Sequence, residues 1–247
     1  GGSRGRTWAR SEWYEGRART RQVEAGWSIY AFDEDDAIVP GQPGRFADAR
    51  DNLYDVGNGR HYRPRWFASI GAKAGIFAYN VPSEDPADEH SYRVDNEVFL
   101  CPVVPDWYST RNFPYGYNYQ FLGNTRFVND DEARGPINFP VRFNEIKAPS
   151  ETVTFASSMG SAAGKPEAAR TPNLNDGSRD PRLHAMGGHG YALDPPRLPG
   201  NTGLCDRRNR SPEHRSAPDP RYNGRANVAF CDGHCAAMTL EELGYVV

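Results

Sequence analysis

Lysine is scarce in this 247-residue chain. Of its 29 basic residues only Lys73, Lys147 and Lys165 are lysines, and the formal net charge is -3 with a pI near 6.1. A chain built to hold a polyanion carries a basic excess, so nucleic acid is not an expected partner. Long apolar runs are missing too. No window approaches the roughly 18 uninterrupted apolar residues of a membrane span, and Gly1 to Arg10 lack the apolar core of a signal peptide. Neither a P-loop nor a dinucleotide fingerprint occurs, and Ser157, Ser158 and Ser161, in Ser-Ser-Met-Gly-Ser, lack the flanking glycines of a nucleophile elbow. These residues give no reason to expect an enzyme.

Glycine, proline and aromatic residues are abundant instead. With 25 Gly, 20 Pro, 38% hydrophobic residues and a mean hydropathy of -0.76, much of the chain is expected in loops, while 12% aromatic residues suffice to build a core. Between Arg6 and Asp33, Trp13, Gly16, Thr20, Val23, Trp27 and Tyr30 share one stripe at helical spacing, with Arg17, Arg19, Arg21 and Glu24 off it. That stripe must meet a partner, and Trp13, Val23, Trp27 and Tyr30 are expected to form an assembly surface for another subunit, the alternative being an amphipathic helix packed wholly in its own domain. The acidic run Asp33 to Asp36 opposes the helix macrodipole and is expected to end the helix. The chain then divides into an N-terminal helix, 1–36, and a loop-rich head, 37–247. A second helix is expected over Arg65 to Lys73 with Trp66, Phe67 and Ile70 on one side. Strands are expected over Tyr115 to Phe121 and over Glu151 to Ala156, the latter with Val153 and Phe155 on one face.

The last strands form a hairpin over 226–239. Asp232-Gly233 suits the two central positions of a type I′ turn, a register in which Cys231 faces His234, Phe230 faces Cys235, Ala229 faces Ala236 and Val228 faces Ala237. The sheet then has about four antiparallel strands. Two clusters invite a metal. His184 and His189, near Asp180, Asp194 and His214, are separated by glycines that would not hold them at a fixed helical spacing. The loop Asn173 to Asp180 carries calcium-type oxygens, but its register puts Pro172 first and Leu183 twelfth. Trp8, Trp13, Trp107, Tyr108, Tyr115, Tyr117 and Tyr119 are aromatics that could stack on sugars or on neighbouring subunits.

The stretch Arg221-Tyr222-Asn223-Gly224-Arg225-Ala226-Asn227-Val228-Ala229-Phe230-Cys231-Asp232-Gly233-His234 resembles the C-terminal signature of bacterial prepilin-like proteins, relatives of the type II secretion pseudopilins with an H-x(9)-DG motif. That signature usually reads Arg-His-x-Gly-x-x-Asn-x-x-Phe-x-Asp-Gly-His. Arg221, Gly224, Asn227, Phe230, Asp232, Gly233 and His234 coincide with it, and Tyr222 stands where the family has His. Tyr222 brings no imidazole for a metal but keeps an aromatic body and one polar atom. The helix exit at Tyr30-Ala31, Cys101-Pro102 ahead of Tyr115-Gly116-Tyr117-Asn118, Pro149-Ser150 and Gly190 to Pro196 are similar to the family in outline.

The resemblance implies an α+β, pilin-like fold, with a long N-terminal helix packed on a small antiparallel sheet with extended loops. It places a hydrophobic anchor segment ahead of Gly1, expected to have been removed by truncation or processing. It also implies a non-enzymatic exported structural subunit of a pseudopilus or an extracellular filament or coat. Such a subunit would sit outside the cell or at its surface, be periplasmic during assembly, and self-associate or join other pilin-like subunits. The alternatives are a carbohydrate-binding cell-surface protein using aromatic loops on a polysaccharide, and a metal-dependent hydrolase. No cofactor is expected, an irregular calcium site being the one alternative. In an exported protein Cys101, Cys205, Cys231 and Cys235 are disulfide candidates. The hairpin register puts Cys231 and Cys235 on opposite faces, so each is expected to pair with Cys101 or Cys205. A zinc site from Cys231, His234 and Cys235 matches no standard spacing.

Overall fold

The computed structural model describes residues 2–40, 54–55, 61–62, 65–80, 94–103, 115–119, 121–123, 125–127, 136–138, 141–160, 166, 168, 193 and 217–245. For 2–9, 54–55, 61–62, 125–127 and 136–138 only the backbone is described. In chain order the elements are α1 (Gly2–Asp33), β1 (Tyr54–Asp55), β2 (His61–Tyr62), α2 (Trp66–Ala74), β3 (Gly116–Tyr117), β4 (Thr125–Phe127), β5 (Pro136–Asn138), β6 (Val153–Ala156), β7 (Ala226–Phe230) and β8 (Cys235–Met238). The fold is α+β. Its main sheet is antiparallel with order β3-β6-β7-β8, and β1-β2 and β4-β5 are separate two-stranded pairs. No helix among the described residues is long and apolar enough to cross a membrane.

Helix α1 runs for 32 residues, about 48 Å at 1.5 Å per residue. It ends where the acidic run begins. Asp35 and Asp36 take left-handed backbone conformations (φ 52° and 66°), which a short polar side chain tolerates, and the Asp36 N–H closes back on the Ala31 carbonyl at 2.9 Å. The exit is then pinned to a second segment. Ile38 N–H donates to the Val141 carbonyl, Phe143 N–H to the Asp36 carbonyl, and Arg142 Nη1 to the Asp35 carbonyl at 2.7 Å.

The inner stripe of α1 packs on the chain's own head. Val23 and Trp27 are fully buried and Tyr30 nearly so, while Trp13 packs at the edge of the same core. Val23, Trp27 and Tyr30 are therefore unavailable as a surface for another helix, which corrects their expected role in assembly. Trp27 Nε1 donates to the Tyr117 hydroxyl at 3.4 Å, and that hydroxyl donates to the Val39 carbonyl at 2.9 Å, tying helix, sheet and helix exit together. Helix α2 forms one residue later than expected, and Trp66, Phe67 and Ile70, read from the sequence as one side of it, are all buried. The Trp66 ring lies 4.8 Å from Phe155 and 5.8 Å from Tyr117, at the centre of an aromatic core.

Three strand expectations need correction. The chain leaves β3 after two residues and turns at Asn118, whose Oδ1 accepts the Phe121 N–H at 3.4 Å, so Phe121 lies in a turn. A register shift between Val153 and Phe155 places them on opposite faces of β6, Phe155 toward α1 and Val153 against Ala156, Val228 and Phe230. The hairpin is one residue out of the expected register. Ala229 pairs with Cys235 and Val228 with Ala236, and the loop has three residues, with Phe230 N–H bonded to the His234 carbonyl at 3.0 Å and Gly233 N–H to the Phe230 carbonyl at 2.8 Å. Gly233 sits at φ 87°, as a three-residue hairpin loop requires of its last position. The slip turns Ala229, Cys231 and Cys235 toward α1, and Ala226, Val228 and Phe230 to the other side.

Candidate functional site

Two of the signature residues, Tyr222 and Asn227, converge on one turn of α1. The Gly16 carbonyl accepts the Thr20 hydroxyl at 2.6 Å and the Tyr115 hydroxyl at 3.2 Å. Thr20 Oγ1 in turn accepts Asn227 Nδ2 at 3.0 Å across the helix–sheet interface. Tyr222 Oη lies only 2.8 Å from where a Cβ on Gly16 would stand, and 3.0 Å from Cys101 Sγ in a hydrogen bond. Glycine at 16 is thus what lets the hairpin approach so closely. Burial raises Tyr222 and Tyr115 well above the usual phenol range, so both stay protonated.

The remaining signature positions are also engaged within the chain. Arg221, its side chain 4% exposed, pairs with Asp219 at 2.6 Å and donates to the carbonyls of Val103 (2.9 Å) and Ser158 (3.0 Å), joining three separate segments. Gly224 holds φ 81° in the turn that closes between Tyr222 and Arg225. The Phe230 ring stacks on His234 at 4.2 Å with 4° between planes. Asp232 Oδ1 accepts the His234 N–H at 3.1 Å and lies 2.6 Å from Nδ1 of its ring; these bonds hold the Asp232 carboxyl below the usual range.

A buried polar cluster lies beside this turn. Glu24 is 2% exposed; Thr154 Oγ1 is 3.3 Å from its Oε1 and 3.4 Å from Cys231 Sγ, with one hydroxyl proton to share between them. Glu24 Oε2 and Asn227 Oδ1 have no hydrogen-bond partner. Burial drives Glu24 well above the carboxylate range, and pushes the Cys231 thiol up to about 12, with Cys235 also raised. A thiol with that pKa is protonated at neutral pH and is a poor nucleophile. Cys101, Cys231 and Cys235 are buried free thiols in place of the expected disulfides, and Cys231 and Cys235 share the α1 face in place of opposite faces. Cys205 lies outside the described residues.

Among the described residues no group of three or more His, Cys, Asp or Glu is placed to hold a metal ion, Cys231, His234 and Cys235 included. Asp180, His184, His189, Asp194, His214 and the 173–180 loop lie outside the described residues, as do Trp107 and Tyr108 and the side chain of Trp8. Tyr115 and Tyr117, named as candidate sugar-stacking residues, are buried in the core. On the sheet face away from α1, a cleft of about 420 Å³ is lined by Asn118, Phe121, Val153, Leu193, Leu243 and Tyr245, among others; the Asn118 amide is already used on the Val153 carbonyl at 2.9 Å.

Sequence periodicity missed Glu24, which sits on the border of the buried arc one turn after Thr20. It also missed Arg19, whose guanidinium bonds Glu15 and the carbonyls of Glu97 (3.0 Å) and Leu100 (3.1 Å). In comparisons with known proteins, no family model matches the chain, and neither a curated protein nor a solved structure matches it.

Proposed function

We propose that this chain is a non-enzymatic, exported structural subunit of pilin-like architecture, which assembles with copies of itself or with other pilin-like subunits in a pseudopilus or an extracellular filament or coat. The observation that carries the reading is the outer face of α1, where Phe32 is 85% exposed, Tyr14 52% and Ile29 44%. Large apolar side chains on the free face of a long helix favour burial against another chain. Arg221, Tyr222 and Asn227 of the signature support the same reading, because their side chains are spent on holding the chain's own segments together. The raised Cys231 thiol and the protonated phenols add no activated nucleophile to the interface.

Two variants of the full-length protein in producing cells separate assembly from folding. Phe32→Asp is expected to abolish assembly while leaving the melting temperature of the isolated chain within a few degrees of wild type. Trp27→Asp is expected to cost more than about 3 kcal/mol of folding stability, because it buries a carboxylate in an aromatic core. A Phe32→Asp protein that assembles like wild type would overturn the proposal.

A further inference from the structure

Strand β8 is the last strand of the sheet, and its register decides which backbone groups face outward. Phe230 N–H bonds the His234 carbonyl and Val228 pairs with Ala236, so the even-numbered residues of β8 exchange hydrogen bonds with β7. The N–H and C=O of Cys235 and Ala237 therefore point away from the sheet. The same parity holds across β7, where Ser157 N–H reaches the Asn227 carbonyl and Cys231 N–H the Thr152 carbonyl. Of the four outward groups on β8, the Ala237 carbonyl has a partner among the described residues, Arg225 Nη1 at 3.0 Å, and that same nitrogen lies 2.9 Å from Glu242 Oε2.

The other three have no partner among the described residues, and an edge of this kind is a template for another strand. We propose that β8 docks on β8 of a second copy of this chain, antiparallel about a twofold axis through Ala236. In that arrangement Cys235 of one copy opposes Ala237 of the other, so the outward groups are self-complementary, and the residue facing itself across the axis is a small alanine. The charges also match. Arg225 and Glu242, each 46% exposed, lie at the Met238 end of the strand, which the twofold brings beside the hairpin tip of the second copy. There Asp232 and His234 are 37% and 45% exposed. Arg225 then exchanges the Ala237 carbonyl for a carboxylate and Glu242 gains an imidazole. The inference deepens the assembly reading and rests on it for the choice of a second copy over a foreign strand.

Amide hydrogen exchange on the wild-type chain tests it directly. Between low-micromolar and submillimolar protein, the Cys235 and Ala237 amides are expected to slow about tenfold or more, while the Ala236 amide, already in the ladder, stays unchanged. Ala237→Pro removes an outward N–H and no bond to β7. It is expected to keep the far-ultraviolet circular dichroism of the wild type and to weaken the dimer about tenfold or more in sedimentation. Exchange that ignores concentration, or an Ala237→Pro chain that dimerises like wild type, would overturn the proposal. So would protection that appears only when other proteins of the producing cell are added, which assigns the edge to a foreign strand. Each of these leaves the contacts of Phe32 to their own variant, so failure at the edge and failure of assembly are distinguishable.

Discussion

Glu24 sets the pH dependence of the helix–sheet interface. Burial raises its pKa in the folded chain above that in the unfolded chain, so its contribution to stability is fully present below the unfolded value, near 4.3, and is lost as the pH rises through the raised folded value. Urea unfolding from mildly acid to mildly alkaline pH is expected to show wild-type stability falling through this window, and Glu24→Gln losing that component of the slope. At the neighbouring turn, Gly16→Ala forces a methyl group to 2.8 Å from Tyr222 Oη and is expected to cost about 1–3 kcal/mol. Removing that oxygen relieves the clash, so in a double-mutant cycle Gly16→Ala with Tyr222→Phe is expected to cost less than the two single changes summed. The inner stripe of α1 was legible because Gly16, Thr20, Val23 and Trp27 repeat at the helical period. Glu24 was not, because a carboxylate at the border of a stripe reads as solvated until Thr154 is seen above it.

At the scale of elements, the hairpin shows where sequence pattern stops. Its existence was legible from Asp232-Gly233 between two apolar runs. Its register was not, because Val228 and Phe230 alternate with Ala229 and Cys231, and both sets are apolar enough to be buried. Two buried faces leave the choice to the turn and to the helix above, and Asn227 reaching Thr20 selects the face. The bulge in β6 was hidden for a related reason: Thr154 and Phe155 both turn toward α1, breaking the alternation that placed Val153 with Phe155. In the observed loop the strain falls on Gly233 alone, at φ 87° with open space around its absent Cβ. Gly233→Ala is therefore expected to cost about 1–2 kcal/mol of backbone strain with no packing loss, measured as a shift of the urea midpoint at unchanged slope.

The whole molecule joins a 32-residue helix to a four-stranded antiparallel sheet through a dense set of intramolecular contacts. That architecture could be anticipated from two periods, 3.6 in α1 and 2 in the strands, together with the turn chemistry of the last twenty residues. What periodicity could not assign was the partner of each face of α1. Trp27 looked as suited to another helix as to a sheet, and only the core around Trp66, Tyr117 and Phe155 decides it. The opposite face leaves Phe32 and Ile29 exposed, and in the proposed assembly it is this face that meets other chains. A photo-cross-linking residue placed at position 32 of the full-length protein, in the cells that produce it, tests this most directly. The account predicts a ladder of covalent dimers and higher oligomers of the same chain from position 32, and none from position 27, which is buried in the core. Monomer alone from position 32 would contradict it.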